Sequence, residues 1–150
     1  MPSKNPDPLK LRAEDLEDLR VVSSCVQDAL VSKAEMVFEP KEKQFKVHLS
    51  RFRWENRQRK KTGFLPKERT ESALIFKDIK GVQLSQGFED PHEIHELLSL
   101  DFDENGKKKG IHLTFSGNHE IYLESDKISC SLTDMGDAWA THKRPKHKII

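Results

Sequence analysis

The spacing of apolar residues changes once along this chain, and that change limits the folds open to it. Up to about residue 31 the apolar residues recur at helical spacing, and beyond it they alternate with a period of two. The early set lies on one side of a helix and comprises Leu16, Leu19, Val22, Val26 and Leu30. One amphipathic helix followed by strands predicts an α+β fold, with the N-terminal helix packed on a sheet.

The predicted helix runs from Ala13 to Val31. Its first turns are acidic, and negative charge is favourable at the positive end of the helix dipole. These acidic residues are Glu14, Asp15, Glu17 and Asp18. No Ser, Thr, Asn or Asp directly precedes Ala13, so the predicted start lacks a good N-cap.

Residues 35–54 predict a hairpin in which strands Glu35–Glu39 and Gln44–Trp54 flank a turn at 40–43. Phe45, Val47 and Leu49 share one face of the second strand. Phe52 and Trp54 have the opposite parity, so a regular strand cannot bury both sets. We therefore expect either a bulge near Ser50-Arg51 or a bend that buries different faces at the two ends.

The middle of the chain predicts either one kinked strand or two strands at 72–77 and 81–85, with Gly81 as the bend. Asp90-Pro91-His92-Glu93 has the pattern of a helix start, and we expect a single helical turn there. A strand should follow, because Leu98, Leu100 and Phe102 alternate.

The last third predicts a three-stranded meander, with turns at Gly117-Asn118 and Ser125–Lys127. Its inward positions should be Ile111, Leu113, Phe115, Ile121, Leu123, Ile128, Cys130 and Leu132.

The whole pattern predicts one domain over 1–150, built on a bent, mostly antiparallel sheet of six to eight strands or a half-open barrel. Residues 1–8 should be a lead-in, 55–70 a long basic loop and 142–150 a basic tail.

Charge and composition limit the classes of partner and the cellular compartment that can be expected for this protein. The 26 basic and 25 acidic residues leave a formal net charge of +1, which gives no global attraction to nucleic acid. The sequence shows neither a signal peptide nor an apolar run long enough to span a bilayer, so no membrane association is expected. Two scattered cysteines fit a reducing compartment, and we expect a cytoplasmic protein.

Catalytic motifs are absent from the sequence: it has no phosphate-binding loop, no GxSxG, no HExxH and no paired CxxC. We therefore expect no catalytic residues, no cofactor and no metal, and an enzyme is the last of three hypotheses.

His92 and His95 could lie on one side of a helical turn, but no third ligand can be named, and exposed histidines are favoured. We expect His112 and His119 on the outer face of the meander.

An acidic cluster precedes Asn105-Gly106 and lacks the spacing of a calcium loop. It consists of Asp101, Asp103 and Glu104. An ordinary polar hairpin loop is the favoured interpretation.

Positive charge is concentrated beside two aromatic residues, Phe52 and Trp54. The basic residues are Arg51, Arg53, Arg57, Arg59, Lys60 and Lys61. Cations interleaved with aromatic rings suit phosphates and unstacked bases, and the basic tail adds to them. The alternative is a solvated loop with both rings in the core.

The first functional hypothesis is a non-enzymatic binding or interaction module, which could be a homo-oligomer. The second is an RNA- or DNA-binding accessory protein that uses Arg51–Lys61.

Four segments resemble an uncharacterised bacterial family, domain of unknown function 2948. They are S-S-C-V-Q-D-A-L at Ser23–Leu30, M-V-F-E-P at Met36–Pro40, F-x-V-x-L-S-R-F-R-W-E at Phe45–Glu55 and D-A-W-A-T-H-K-R-P-K-H at Asp137–His147. The resemblance covers nearly the whole chain, although Ser50 stands where Asn is expected. It implies a bacterial, cytoplasmic, single-domain protein and no activity, substrate or cofactor. Trp139 lies outside every predicted strand, so it should pack on the core, cover a groove or meet a partner chain.

Overall fold

The computed structural model describes residues 8–54 and 69–135. Within these ranges it has one α-helix, a turn of 3-10 helix at Lys33–Glu35 and ten strands. The elements are β1 Lys10–Ala13, α1 Leu16–Cys25, β2 Ala29–Ser32, β3 Met36–Glu39, β4 Gln44–Phe52, β5 Arg69–Phe76, β6 Gly81–Leu84, β7 Ile94–Asp103, β8 Gly110–Phe115, β9 His119–Glu124 and β10 Cys130–Asp134. The predicted α+β class is confirmed, and the described strands number ten rather than six to eight.

All the strands belong to one antiparallel sheet in the order β1-β10-β5-β4-β2-β7-β8-β9-β6, and β3 shares an edge of β4 with β2. Helix α1 contacts both β1 and β7, which lie five strand-to-strand steps apart. Five steps span about 24 Å in a flat sheet, whereas a ten-residue helix is only about 15 Å long. The sheet must therefore curve around α1, and its inner face forms the core.

The helix is shorter than predicted because strands occupy both ends of the expected range. Asp15 is the N-cap, and its side chain accepts a hydrogen bond from the Asp18 N–H at 2.8 Å. Residues 10–13 pair with β10, and residues 29–32 pair with β7. Asp28, with a φ of 65°, turns the chain between α1 and β2. The predicted stripe is buried at Leu19, Val22 and Val26, but Leu30 lies on β2 and is exposed.

Strand β4 is regular along its whole length. Its register with β5 runs without interruption from Phe45 opposite Phe76 to Phe52 opposite Arg69. The predicted bulge or bend is therefore wrong, because the inward position at this end belongs to Arg51 and not to Phe52.

The predicted meander is confirmed for two of its three strands. β8 pairs with β9, with Leu113 opposite Ile121, and all eight predicted inward residues are buried. β10, however, lies between β1 and β5 rather than beside β9. The chain crosses the molecule after β9, and its last described strand covers an edge that β5 would otherwise leave open.

The segment before β7 forms a turn and not the expected helical turn. The Asp90 carboxylate accepts a hydrogen bond from the His92 N–H at 3.0 Å, which closes an Asx-type turn. An irregularity in the register between Leu97 and Ser99 then turns Leu98 outward while Leu97 and Leu100 are both buried. The predicted alternation of Leu98 with Leu100 is therefore wrong.

Across residues 8–54 and 69–135, none of the helical structure combines the length and apolar character that a membrane span needs.

Candidate interaction surface

Arg51 is the first residue of the predicted basic site, and it lies in the interior with no exposed surface. Its Nε donates to Asp134 Oδ1 at 3.0 Å, and its Nη2 donates to Asp134 Oδ2 at 2.9 Å. The same carboxylate accepts from the Ser72 hydroxyl at 2.6 Å and the Leu9 N–H at 3.0 Å. Arg51 therefore joins β4 to β10 and cannot contact a phosphate, which corrects its assignment to the predicted nucleic-acid site.

The charge state of Asp134 follows from this network. Burial alone would raise the pKa of the carboxyl group. The hydrogen bonds from Arg51, Ser72 and the Leu9 N–H, together with the Arg51 charge, outweigh burial and hold the pKa of Asp134 below its usual value. The pair is therefore ionised and structural.

The rest of the predicted basic site is only partly described. Arg53 is half-buried. The other four basic residues of the site, Arg57, Arg59, Lys60 and Lys61, lie outside the described residues, as does the tail at 142–150. The loop predicted at 55–70 is described only at its end, where Arg69 and Thr70 belong to β5.

The aromatic residues of the predicted site lie on the outer face of the sheet. The rings of Phe52 and Trp54 meet edge to face with centroids 5.4 Å apart. The Arg69 guanidinium lies 4.1 Å from the Phe52 ring centroid, and the Trp54 Nε1–H donates to the Gln27 carbonyl at 3.0 Å. The structure thus pairs these rings with a cation that the sequence did not single out, Arg69.

Exposed apolar side chains collect on this same face. Of the six large apolar side chains that are exposed among the described residues, four lie on the outer face of β2, β3 and β7: Leu30, Val37, Ile94 and Leu98. Leu30 pairs with Glu96, and Ile94 and Leu98 flank Glu96 along β7. Diagonal neighbours on adjacent strands lie within reach of one another. We call Leu30, Ile94 and Leu98 the outer patch.

A pair of carboxyl groups borders the outer patch. The hydrogen bond between the side chains of Asp28 and Glu96 is the main cause that raises the pKa of Glu96, with partial desolvation and the Asp28 charge acting in the same direction. The Arg69 charge acts against them. The pKa of Glu96 is therefore above its usual value, and a cation placed beside it would favour the ionised carboxylate.

His48 lies between two carboxylates beside the outer patch. Its Nδ1 is 3.2 Å from Glu35 Oε2, and its Nε2 is 2.9 Å from Glu71 Oε1. Burial lowers the pKa of His48, but the hydrogen bonds and charges of the two glutamates outweigh it and raise the pKa. The face around the outer patch is therefore rich in acidic groups.

The remaining histidines differ from expectation at two positions. His95 is buried rather than exposed, and its ring lies 4.6 Å from Phe88 and 5.6 Å from His119. His119 also faces inward, because it has the same parity as Ile121 and Leu123, and its ring packs against Gly87. His112 does lie on the outer face, 5.0 Å from Tyr122.

The described residues contain no group of three or more side chains that could hold a metal ion. In the acidic cluster before Asn105-Gly106, the Asp103 carboxylate accepts hydrogen bonds from the Asn105 and Gly106 N–H groups. That is the arrangement of a polar hairpin loop. A cavity of about 140 Å³ lies on β6, β8 and β9, and Leu84, His112 and Glu120 are among its lining residues.

Sequence reasoning missed the outer patch because it placed Asp28 and Leu30 inside the helix and Leu98 in the core. The pairing of β2 with β7 brings these residues together, and no local pattern indicates that pairing. The exposed apolar positions of β7 could have been found only by locating the irregularity at Leu97.

Comparison with known families gives one result. A family model described as "Protein of unknown function (DUF2948)" matches residues 9–147, nearly the whole chain. No curated protein matches the chain, and no solved structure matches it.

Proposed function

Since the chain belongs to the DUF2948 family, whose function is unknown, we propose a function from its own surface: it is a non-enzymatic interaction module that binds another protein through the outer patch. A cytoplasmic location is part of the proposal. Cys130 is a buried free thiol, whose pKa burial raises to about 12, and such a residue acts as a small apolar side chain. It suits a reducing compartment.

The observation that carries the proposal is the concentration of exposed apolar side chains on one sheet face. Ile94 has 61 % of its surface exposed, and Leu30 and Leu98 have 39 % and 40 %. Apolar residues grouped on a surface and bordered by polar groups mark protein contact sites. Trp54 and Arg69 lie on the same face, and Trp and Arg are enriched among the residues that dominate binding energy.

A site-specific cross-linking experiment tests this function. A photo-reactive amino acid replaces Leu98 on the outer patch or, as the control, Leu84 on β6, which is exposed to the same extent, 40 %. The partner cross-linked at position 98 is identified and purified, and its affinity is measured by calorimetry. Ile94→Asp should weaken binding by at least about tenfold because it places a charge in the apolar contact, whereas Leu84→Asp should leave it unchanged.

Two results would overturn the proposal: equal cross-linking from positions 98 and 84, or an affinity that Ile94→Asp does not change. Cross-linking of the protein to itself through position 98 would identify the partner as a second copy.

A second candidate function is RNA or DNA binding by Arg53, Arg57, Arg59, Lys60 and Lys61. It is favoured by Phe52, Trp54 and Arg69, which form an aromatic surface with a cation on the outer face without any contribution from Arg51. Rings of this kind can stack on unpaired bases while basic residues neutralise phosphates.

The second candidate predicts steep salt dependence. Affinity for mixed single-stranded RNA or DNA should fall with a log–log slope of roughly −0.7 per phosphate contacted. Replacing Arg57, Arg59, Lys60 and Lys61 by Ser should flatten the slope and leave thermal stability almost unchanged. Gel-shift titration at low salt is the measurement, and binding that survives the four substitutions would rule this site out.

A further inference from the structure

We propose that the chain's own C-terminal segment, residues 136–150, binds the outer patch and competes there with the partner protein. This inference rests on the proposed function, because it names the class of ligand that the same surface accepts: a basic segment with apolar side chains.

The position where the segment begins favours this contact. The Met135 N–H donates to the Glu71 carbonyl at 2.8 Å, so the last described residue continues the β10–β5 ladder. Glu71 pairs with Ser50, Ser50 with Leu30, and Leu30 with Glu96. Met135 and the outer patch therefore lie in one row across neighbouring strands.

The distance is short compared with the length of the segment. Four strand-to-strand steps from Met135 to Glu96 amount to about 19 Å. Fifteen residues can span up to about 50 Å when extended. The segment can therefore turn and still cross the whole row.

Charge and side-chain chemistry are complementary. The segment carries Lys143, Arg144, Lys146 and Lys148, and it has no acidic residue after Asp137. The face beside the outer patch carries the carboxyl groups of Asp28, Glu35, Glu71 and Glu96, against the Arg69 guanidinium and the His48 imidazole. The carboxyl groups of Asp28 and Glu96 are hydrogen-bonded to each other, so a lysine or arginine beside them would be favourable.

The segment also has apolar residues to match the outer patch. Trp139 follows shortly after Met135, and Ile149 and Ile150 end the sequence given. A Trp side chain combines a large apolar area with a single N–H donor, which suits a surface of leucine and isoleucine bordered by carboxylates.

Tryptophan fluorescence of the full chain tests the inference. The sequence has two tryptophans, so Trp54→Phe leaves Trp139 as the only one. If the segment is bound, Trp139 should emit at short wavelength and resist quenching by acrylamide. Adding Ile94→Asp or Glu96→Lys should shift the emission to the red and increase the quenching constant severalfold. Leu84→Asp, which alters an equally exposed leucine away from the outer patch, should change neither.

A second measurement avoids the substitution of Trp54. A labelled peptide of residues 136–150 is titrated into the full chain carrying Trp139→Ala, and binding is followed by anisotropy. The peptide should bind, and its affinity should fall at high salt. The same peptide with Lys143, Arg144, Lys146 and Lys148 replaced by Glu should not bind.

The outcomes are distinct. An exposed Trp139 that Ile94→Asp does not affect, together with a peptide that fails to bind, would overturn the inference. Protection of Trp139 that disappears on dilution would also overturn it, because the segment would then come from a second copy. If a partner still cross-links at position 98 in either case, the proposed function stands without this inference.

Discussion

At the scale of single residues, the buried pair of Arg51 and Asp134 joins two strands that lie far apart in sequence. Removing one partner leaves the other charge buried without compensation, which costs about 3–5 kcal/mol. Asp134→Ala should therefore lower the free energy of unfolding by about that amount in urea denaturation at pH 7. Asp126→Ala is the control, because the Lys80–Asp126 pair is exposed and such pairs contribute about 0–1 kcal/mol. Equal losses in the two variants would contradict the structural role of Arg51.

The same carboxyl group predicts how stability depends on pH. Because the pKa of Asp134 is lowered in the folded state, its contribution is present above its unfolded pKa, about 4, and is lost as the pH falls through the folded value. The difference in unfolding free energy between the natural chain and Asp134→Ala should therefore narrow in acid. Denaturation curves from pH 7 down to pH 3 measure it, and a constant difference would show that the carboxyl group is not ionised in the fold.

His48 predicts the opposite dependence on pH. Its pKa is raised in the folded state by Glu35 and Glu71, so its contribution is present below its unfolded pKa, about 6.5, and is lost as the pH rises through the folded value. His48→Gln should thus lower the melting temperature more at pH 5.5 than at pH 9. His92→Gln alters an exposed histidine and should have little effect at either pH. A larger effect of His48→Gln at pH 9 would refute the ion pairs.

At the scale of elements, α1 is held by the few apolar residues that it buries in the curved sheet. Leu19 is completely buried, and Val21 on the same helix has 49 % of its surface exposed. Leu19→Ala should cost about 2–5 kcal/mol through lost burial and a residual cavity. Val21→Ala should change the unfolding free energy by no more than about 0.5 kcal/mol. Chemical denaturation of both variants measures these changes in unfolding free energy. A small effect of Leu19→Ala would show that the helix is loosely packed.

The periodicity of the sequence predicted where the elements lie better than where they end. It identified Leu19, Val22 and Val26 as core, because buried faces impose the helical period. It extended the helix through Ala13 and Ala29, because strands of four residues are too short to show a period of their own. Asp28, in the turn after the helix, donates its N–H to the Leu97 carbonyl at 2.7 Å, so this turn depends on a strand that comes much later in the chain.

Parity predicted most of the core but failed where a polar residue is buried. In β4 the inward alternation of Phe45, Val47 and Leu49 continues to Arg51. Charged residues are ordinarily expected at the surface, so the pattern alone did not predict that Arg51 is buried. The partner that makes the burial possible, Asp134, is 83 residues away. The candidate surface was unpredictable for the same reason: Leu30 and Leu98 meet only through the pairing of β2 with β7.

At the scale of the whole molecule, the sheet places its first strand beside its last. Asp134 N–H donates to the Leu9 carbonyl, and the alternation of an antiparallel ladder then points the Leu11 N–H toward β10 and the Arg12 N–H toward the open edge. Leu11→Pro should therefore cost about 2 kcal/mol or more, through one ladder hydrogen bond and lost packing. Arg12→Pro, which removes an N–H on the open side, should cost less.

Thermal unfolding of the two proline variants provides the measurement. Equal destabilisation would mean that β1 does not depend on β10 for its place in the fold.

The pairing of β1 with β10 also has a consequence for how the protein is made. Leu9 and Asp134, which bond to each other, are 125 residues apart, and a ribosome needs about 6 to 25 s to synthesise a stretch of that length. During that interval β1 exists without its partner strand, although β7, which packs on α1, has already been made. A nascent chain of this protein therefore presents β1 to chaperones and proteases without its partner strand until β10 has been synthesised. A premature stop before residue 130 would leave β1 and β5 without the strand that joins them, and we expect such a product to be degraded faster than the full chain.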